Sequence, residues 1–476
     1  MADMQHAHEI ENGADTPKAR AIIRATLRNV SSRNLSLTLF TQKIRNEYQH
    51  SQDTMGIPSR AIFSQAFHYS AFAISSLFSA SLQHYFASKW ILVISTLLFA
   101  VYHLGFFYIN SYYFYFSQVL MGFAYSLYNN GEGAYLAEHS SRRTIESNTG
   151  IETAVGHSSM FVGGIVLFLI FYLIPQGTTQ AASHYRSFSE DQIQAIYGMF
   201  FAISLLAIIT FALLPKKQYS SSIASNSPRI IPTFKTNMKN LGKAFIHPNM
   251  ILLSFTFLYM GFLVSFFLGI YPTTLSFTAS LVKDVYIVAL YSMFVGLAEL
   301  SGGVFIRPMI KKIVNYKLHV VMIVHVITVV AAMTLFQLSI PERSTIEPND
   351  GSSLWLTPNR VLACVIGYLI GMGDFTLTMA RVIICQVAVP ANRNEVFSLT
   401  RIYQCISSCI VLFLSSYMTV TCWTTVMMVG MVIGVTTFLI VVWRTSPANV
   451  VSPKYITPQL KSSPSTKAIC STIQTA

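Results

Sequence analysis

Residues 250–270 read MILLSFTFLYMGFLVSFFLGI, an unbroken apolar run with no charged side chain. A helix rises about 1.5 Å per residue, so this run spans the hydrocarbon core of a bilayer, about 30 Å. Lipid offers the backbone no hydrogen-bond partners, so such a run is predicted to be helical. Similar runs lie on both sides of it, at approximately 61–82, 90–109, 112–133, 150–173, 193–214, 285–305, 318–338, 361–382, 399–418 and 423–443. The reading is about eleven transmembrane helices in an all-α integral membrane protein.

Composition agrees. Hydrophobic residues make up 53% of the 476 positions and charged residues 11%. A soluble domain carries roughly 25% charged residues. The net charge of +13 resides mostly between the apolar runs. There it reads as topology and attraction to anionic headgroups, not as a nucleic-acid surface. Lys89, Arg142 with Arg143, Lys216 to Lys243, Arg307 to Lys317, Arg393, and Arg444 to Lys467 mark every second connection as cytoplasmic.

This parity places the segment before residue 61 outside, although Lys18 to Arg45 is basic with no acid. The stretch Val30–Phe40 is too short and polar to cross. The expectation is twelve helices of which the first is missing from the chain, with both termini inside. Asn29 and Asn34 open glycosylation sequons; glycan on either would contradict a cytoplasmic tail.

The predicted organisation is a basic N-terminal tail (1–60), a transmembrane half (61–214), a basic cytoplasmic linker (215–249), a second transmembrane half (250–443) and a C-terminal tail (444–476). Two six-helix halves joined by a long basic loop are the pattern of the major facilitator superfamily, whose substrates bind between the halves.

Charges within crossings are costly, about 2.5–3.5 kcal/mol at a helix centre on insertion scales. Glu299 and Asp374 lie deepest. Glu132 and Glu152 sit nearer helix ends, where exposure lowers the cost. These four acids are the candidate functional residues of a cation or proton pathway. The competing reading is that each only fixes a helix contact. His157 and His325 are also intramembrane, and a lone histidine of this kind is more often simply packed. Asn129-Asn130-Gly131-Glu132-Gly133 and Gly371-Met372-Gly373-Asp374 place an acid beside glycines at equivalent positions of the two halves.

Gly367/Gly371 and Gly430/Gly434 have close-packing spacing. In a multi-helix chain they point to internal contacts. The six cysteines contain no C-x-x-C pair and read as small buried residues. No phosphate-binding loop, zinc motif or potassium-filter motif is present. The reading is therefore not an enzyme, with no catalytic residues, cofactor or metal.

A set of segments carries a family resemblance: AFAISSLFSASL (71–82), SKWILVIS (88–95), GEGAYLAEHS (131–140), TIESNTGI (144–151) and SSMFVGG (158–164), then YMGFLVSFFLGIYPTTLSFT (259–278), GLAELSGG (296–303) and GMGDFTLT (371–378). In this order they resemble the Unc-ninety-three-like family, ion-channel regulatory proteins within the major facilitator superfamily. The chain departs from the family pattern at Ser147, where an Arg is usual, and at Glu152 and Thr153, where an aromatic pair is usual. The facilitator Asp-Arg loop motif is replaced by Leu82-Gln83-His84-Tyr85. The resemblance implies a regulatory or accessory subunit of a membrane complex, such as a potassium channel. The alternative is a secondary transporter of a small solute coupled to cations or protons. The expected partners are the lipid bilayer and a channel or other membrane protein, with no nucleic acid.

Overall fold

A computed structural model of the protein describes residues 57–82, 85–105, 107, 111–139, 145–174, 190–215, 234–282, 284–312, 318–389 and 393–445. The inferred missing first helix, Asn29, Asn34 and Cys470 fall outside these residues. So do most of the linker and the C-terminal tail.

Five long helices come first: α1 (Ile57–Leu82), α2 (Ser88–Leu104), α3 (Ser111–Glu138), α4 (Ile145–Leu173) and α5 (Glu190–Ala212). A short amphipathic helix, α6 (Phe234–Ile246), lies within the basic linker. The second group begins with α7 (Pro248–Ser265), which continues through a π turn (Phe266–Ile270) into α8 (Tyr271–Phe277). After the single turn α9 (Ala279–Val282) come α10 (Ile287–Lys312), α11 (Leu318–Ser339), α12 (Arg360–Val387), α13 (Arg393–Leu414) and α14 (Val420–Thr445). With α7 and α8 counted as one crossing, the eleven long helices among the described residues match the eleven apolar runs. Seven of them are long and apolar enough to span a membrane by length and composition alone.

Large apolar side chains such as Ile74, Leu97, Leu206, Ile327 and Val432 are exposed. In water this would be an aggregating surface; in a bilayer it is the lipid-facing one. Helix contacts instead use small and hydroxyl residues, because lipid removes the hydrophobic drive between helices. Between α1 and α3, Ser126 donates to Ser79 at 2.9 Å and to Ser76 at 3.3 Å. Gly122 sits directly on the backbone of α1 at His68 and Phe72. In the second group Gly434 and Gly430 abut the Tyr259 ring, and Gly367 and Gly371 abut Tyr291, Val295 and Ala298. Both glycine pairs therefore serve internal packing.

The two groups meet along two helix pairs. On one side Gly164 of α4 approaches Ala289 and Met293 of α10, Gly296 approaches Phe161, and Ser292 donates to the Met160 carbonyl at 3.1 Å. On the other side Cys409 of α13 lies 3.1 Å from the Ser70 hydroxyl of α1.

The π turn has a local cause. Pro272 cannot donate, and its ring would clash with the carbonyl four residues earlier, at Leu268. Winding 266–270 more widely relieves that clash, and the Tyr271 amide reaches back to Phe266. Side chains then occupy neighbouring carbonyls: the Tyr291 hydroxyl donates to Phe267 and the Thr273 hydroxyl to Gly269, both at 2.7 Å.

Candidate functional site

Glu299 and Asp374 come from two helices in direct contact. Glu299 lies near the middle of α10 and is 3% exposed; Asp374 lies at mid-height of α12 and is 5% exposed. Gly371 against Val295 and Ala298, and Gly302 against Phe375, bring the two helix faces together. Ser301 and Tyr368 join the same pair by a 2.9 Å hydroxyl contact. Tyr291 lies within electrostatic reach of both acids.

His325 stands one residue from Asp374 in space. It is fully buried; its Nδ1 donates to the Gly373 carbonyl at 2.9 Å. This leaves Nε2 as the acceptor for the Tyr259 hydroxyl, also at 2.9 Å. The ring is thus a clasp joining α7, α11 and α12, in keeping with the packed reading of a lone histidine.

Glu132 is half-buried on α3 and accepts from the Tyr128 hydroxyl at 3.4 Å. Because α3 runs on to Glu138, Glu132 is well inside the helix. Glu152 is on α4, which begins at Ile145; its side chain lies outside what is described, as does that of His157. The structure therefore places Glu299 and Asp374 on two helices in contact, and Glu132 on a helix of the other group.

Two arginines were not among the sequence candidates. Arg381 of α12 and Arg401 of α13 both donate to the Gln404 Oε1, at 3.4 and 3.3 Å. Arg401 also donates to the Asn129 Oδ1 on α3 at 3.4 Å. This polar cluster bridges the two helix groups. The apolar runs 361–382 and 399–418 had put both arginines beside a loop, where a long side chain snorkels to water at little cost. In the structure α12 continues to Val387 and α13 starts at Arg393, which carries both inside. The available signal was a helical pattern persisting through Ile383, Ile384 and Val387.

The bundle, its two inter-group helix pairs and this arrangement of buried charge can be set beside known proteins. A family model described as ion channel regulatory protein UNC-93 matches residues 57–439. The chain belongs to the UNC-93 family. The UNC93-like protein MFSD11 of Xenopus laevis is 24% identical over 392 residues, covering 79% of this chain and 85% of that protein. The Xenopus tropicalis protein of the same name is likewise 24% identical, over 396 residues. Among solved structures, the major facilitator superfamily proton:xylose symporter XylE superposes with a TM-score of 0.62 at 11% identity, covering 92% of this chain and 96% of that one. The fold is that of the major facilitator superfamily, and the protein is a multi-pass integral membrane protein. Neither this family nor this fold is of an enzyme type.

Proposed function

We propose that this UNC-93 family member is a regulatory or accessory subunit of a membrane complex, with an ion channel of the potassium type as the partner. The family match across nearly the whole bundle carries the reading. The replaced facilitator loop motif at Leu82 to Tyr85 supports it, since that loop serves conformational cycling in transporters. The test is co-expression with candidate potassium channels: the expected outcome is a changed current together with co-purification. Unchanged current and no association with any channel tested would overturn it.

A second reading draws on one observation: Glu299 and Asp374 are both buried, at mid-height of two helices, α10 and α12, that pack against each other. Buried intramembrane acids on neighbouring helices suit the coupling of solute movement to cations or protons. Under this reading the double variant Glu299→Gln/Asp374→Asn abolishes solute uptake into proteoliposomes; full uptake would remove the acids from any coupling role.

A further inference from the structure

We propose that Leu354, Trp355 and Leu356 form an interfacial anchor, an apolar loop tip that seats in the headgroup and acyl-chain boundary of the bilayer beside the end of α11. The inference is independent of the regulatory reading and needs no channel partner.

The tip belongs to the loop 341–359, which joins α11 to α12. Trp355 is 82% exposed and Leu354 is 64% exposed, and Leu356 beside them is exposed as well. Three large apolar side chains in a row, turned to water, are an unfavourable surface. A slack loop would fold them inward, but this loop is clamped. The Asn349 amide donates to the Phe277 carbonyl at 2.9 Å, and the Ala279 amide donates to the Asn349 carbonyl at 3.3 Å. The Trp355 and Leu356 amides both donate to the Leu338 carbonyl, at 3.1 and 3.0 Å. Asn359 accepts from the Leu362 amide at 2.8 Å and caps α12. The backbone is thus fastened on both sides of a tip whose side chains stay outside.

Height and facing identify what meets them. Leu338 lies in the last turn of α11, which ends at Ser339. The tip hangs on its carbonyl, so it stands level with the end of a membrane crossing. Ile323, Ile327, Thr334 and Leu338 follow one another at steps of four, seven and four, which keeps them on one helix face. The first three are exposed, and Ile327 is part of the lipid-facing surface described above. On the other flank Val361, in the first turn of α12, is 72% exposed. The tip therefore continues the lipid-facing surface past the ends of α11 and α12. The stretch 351–358 carries no charge to resist that contact. Tryptophan suits the position: its ring prefers the apolar side while its N–H finds a partner on the wet side, which is why it gathers at membrane boundaries.

The test uses the full chain reconstituted in phosphatidylcholine bilayers. Subtracting the emission of Trp355→Phe from that of the wild type isolates the Trp355 indole from Trp90, Trp423 and Trp443. Phospholipids brominated near the headgroup end of the acyl chain are compared with phospholipids brominated near the chain end, and acrylamide is added to the water. The expected result is loss of most of the Trp355 emission with the shallow bromines, a smaller loss with the deep ones and little loss with acrylamide. Loss with acrylamide but not with bromines would overturn the proposal, since the tip would then face water and await an aqueous partner. Emission that neither quencher reaches would overturn it too, because a second copy or another protein would then cover the tip.

Hydrogen exchange at the amides of 351–357, in the same bilayers, shows whether the seating anchors the loop. Trp355→Ser is expected to speed exchange there, while Trp355→Phe keeps the wild-type rate. Equal rates in wild type and Trp355→Ser would mean that the clamps alone hold the loop, and would overturn the anchoring role.

Discussion

His325 has both ring nitrogens engaged: Nδ1 donates to the Gly373 carbonyl, and in the neutral ring Nε2 accepts from the Tyr259 hydroxyl. Tyr259→Phe keeps the ring packing and removes only that donor. It is expected to destabilise the second helix group by about 1–3 kcal/mol, the cost of a buried unsatisfied group. A lowered unfolding temperature of the reconstituted protein checks this, with unchanged stability as the contrary outcome. At this scale the sequence was partly legible. Glu299 and Asp374 stood out as charges in the middle of apolar runs. Arg381 and Arg401 did not, because a run of apolar residues dates the end of a membrane crossing, not the end of a helix. Their surroundings depend on Gln404 and Asn129, which come from two helices and carry no periodic signal of their own.

At the scale of elements, α6 adds something that the basic linker alone did not reveal. Phe234 stacks on Phe78 of α1 at 5.6 Å, and Phe245 stacks on Tyr403 of α13 at 6.1 Å. Lys235, Lys239 and Lys243 recur every four residues and are exposed, so they share one side of the helix. Exchanging all three for Glu is expected to weaken attachment of an α6 peptide to anionic vesicles by about 1 kcal/mol per residue; equal partitioning onto neutral and anionic vesicles by the unaltered peptide would contradict this. A second element-level case is the loop from Pro341 to Asn359. Glu342 accepts from the Thr421 amide at 3.0 Å and from its hydroxyl at 2.8 Å, which caps the start of α14. Partial burial pushes the Glu342 carboxyl up, but bonds from Thr419, Thr421 and Gln337 outweigh it and hold the carboxyl below its ordinary value. A depressed carboxylate adds stability above the unfolded value, about 4.3, and loses it as pH falls through the lower folded one. Glu342→Gln should therefore flatten the acid limb of the stability profile, measured as unfolding temperature between pH 6 and about 3. An acid limb identical to wild type would show that other groups govern it.

For the whole molecule, the two groups touch through α1–α13 and α4–α10, and this arrangement offers a direct test of movement. Cys409 already lies beside Ser70. Ser70→Cys in a chain otherwise lacking reactive thiols allows a short bis-methanethiosulfonate, which forms a disulfide with each cysteine, to tie α1 to α13. If the bundle must rock open to work, the tie abolishes function and a reducing agent restores it. Full activity of the tied protein would mean that it acts as a fixed body, as an accessory subunit can. The architecture itself was largely legible from sequence. Spanning length forces helix formation in lipid, and the succession of apolar runs gives the order of the helices. What pattern reading left out was pairwise contact. Gly164 against α10 and Gly122 against α1 are single small residues, and nothing in one sequence says which neighbour a small residue admits.

The wide turn at Phe266–Ile270 has a consequence for comparing this chain with its relatives. The Tyr271 amide bonds five residues back where an α-helix bonds four, so this crossing holds about one residue more than its height requires. A helix residue turns by about 100°. An alignment drawn without a gap through this segment would therefore match every later position of α8 to the wrong side of a relative's helix. Family members are expected to differ here by single insertions and deletions, with Tyr271 and Thr274 holding their facing through them.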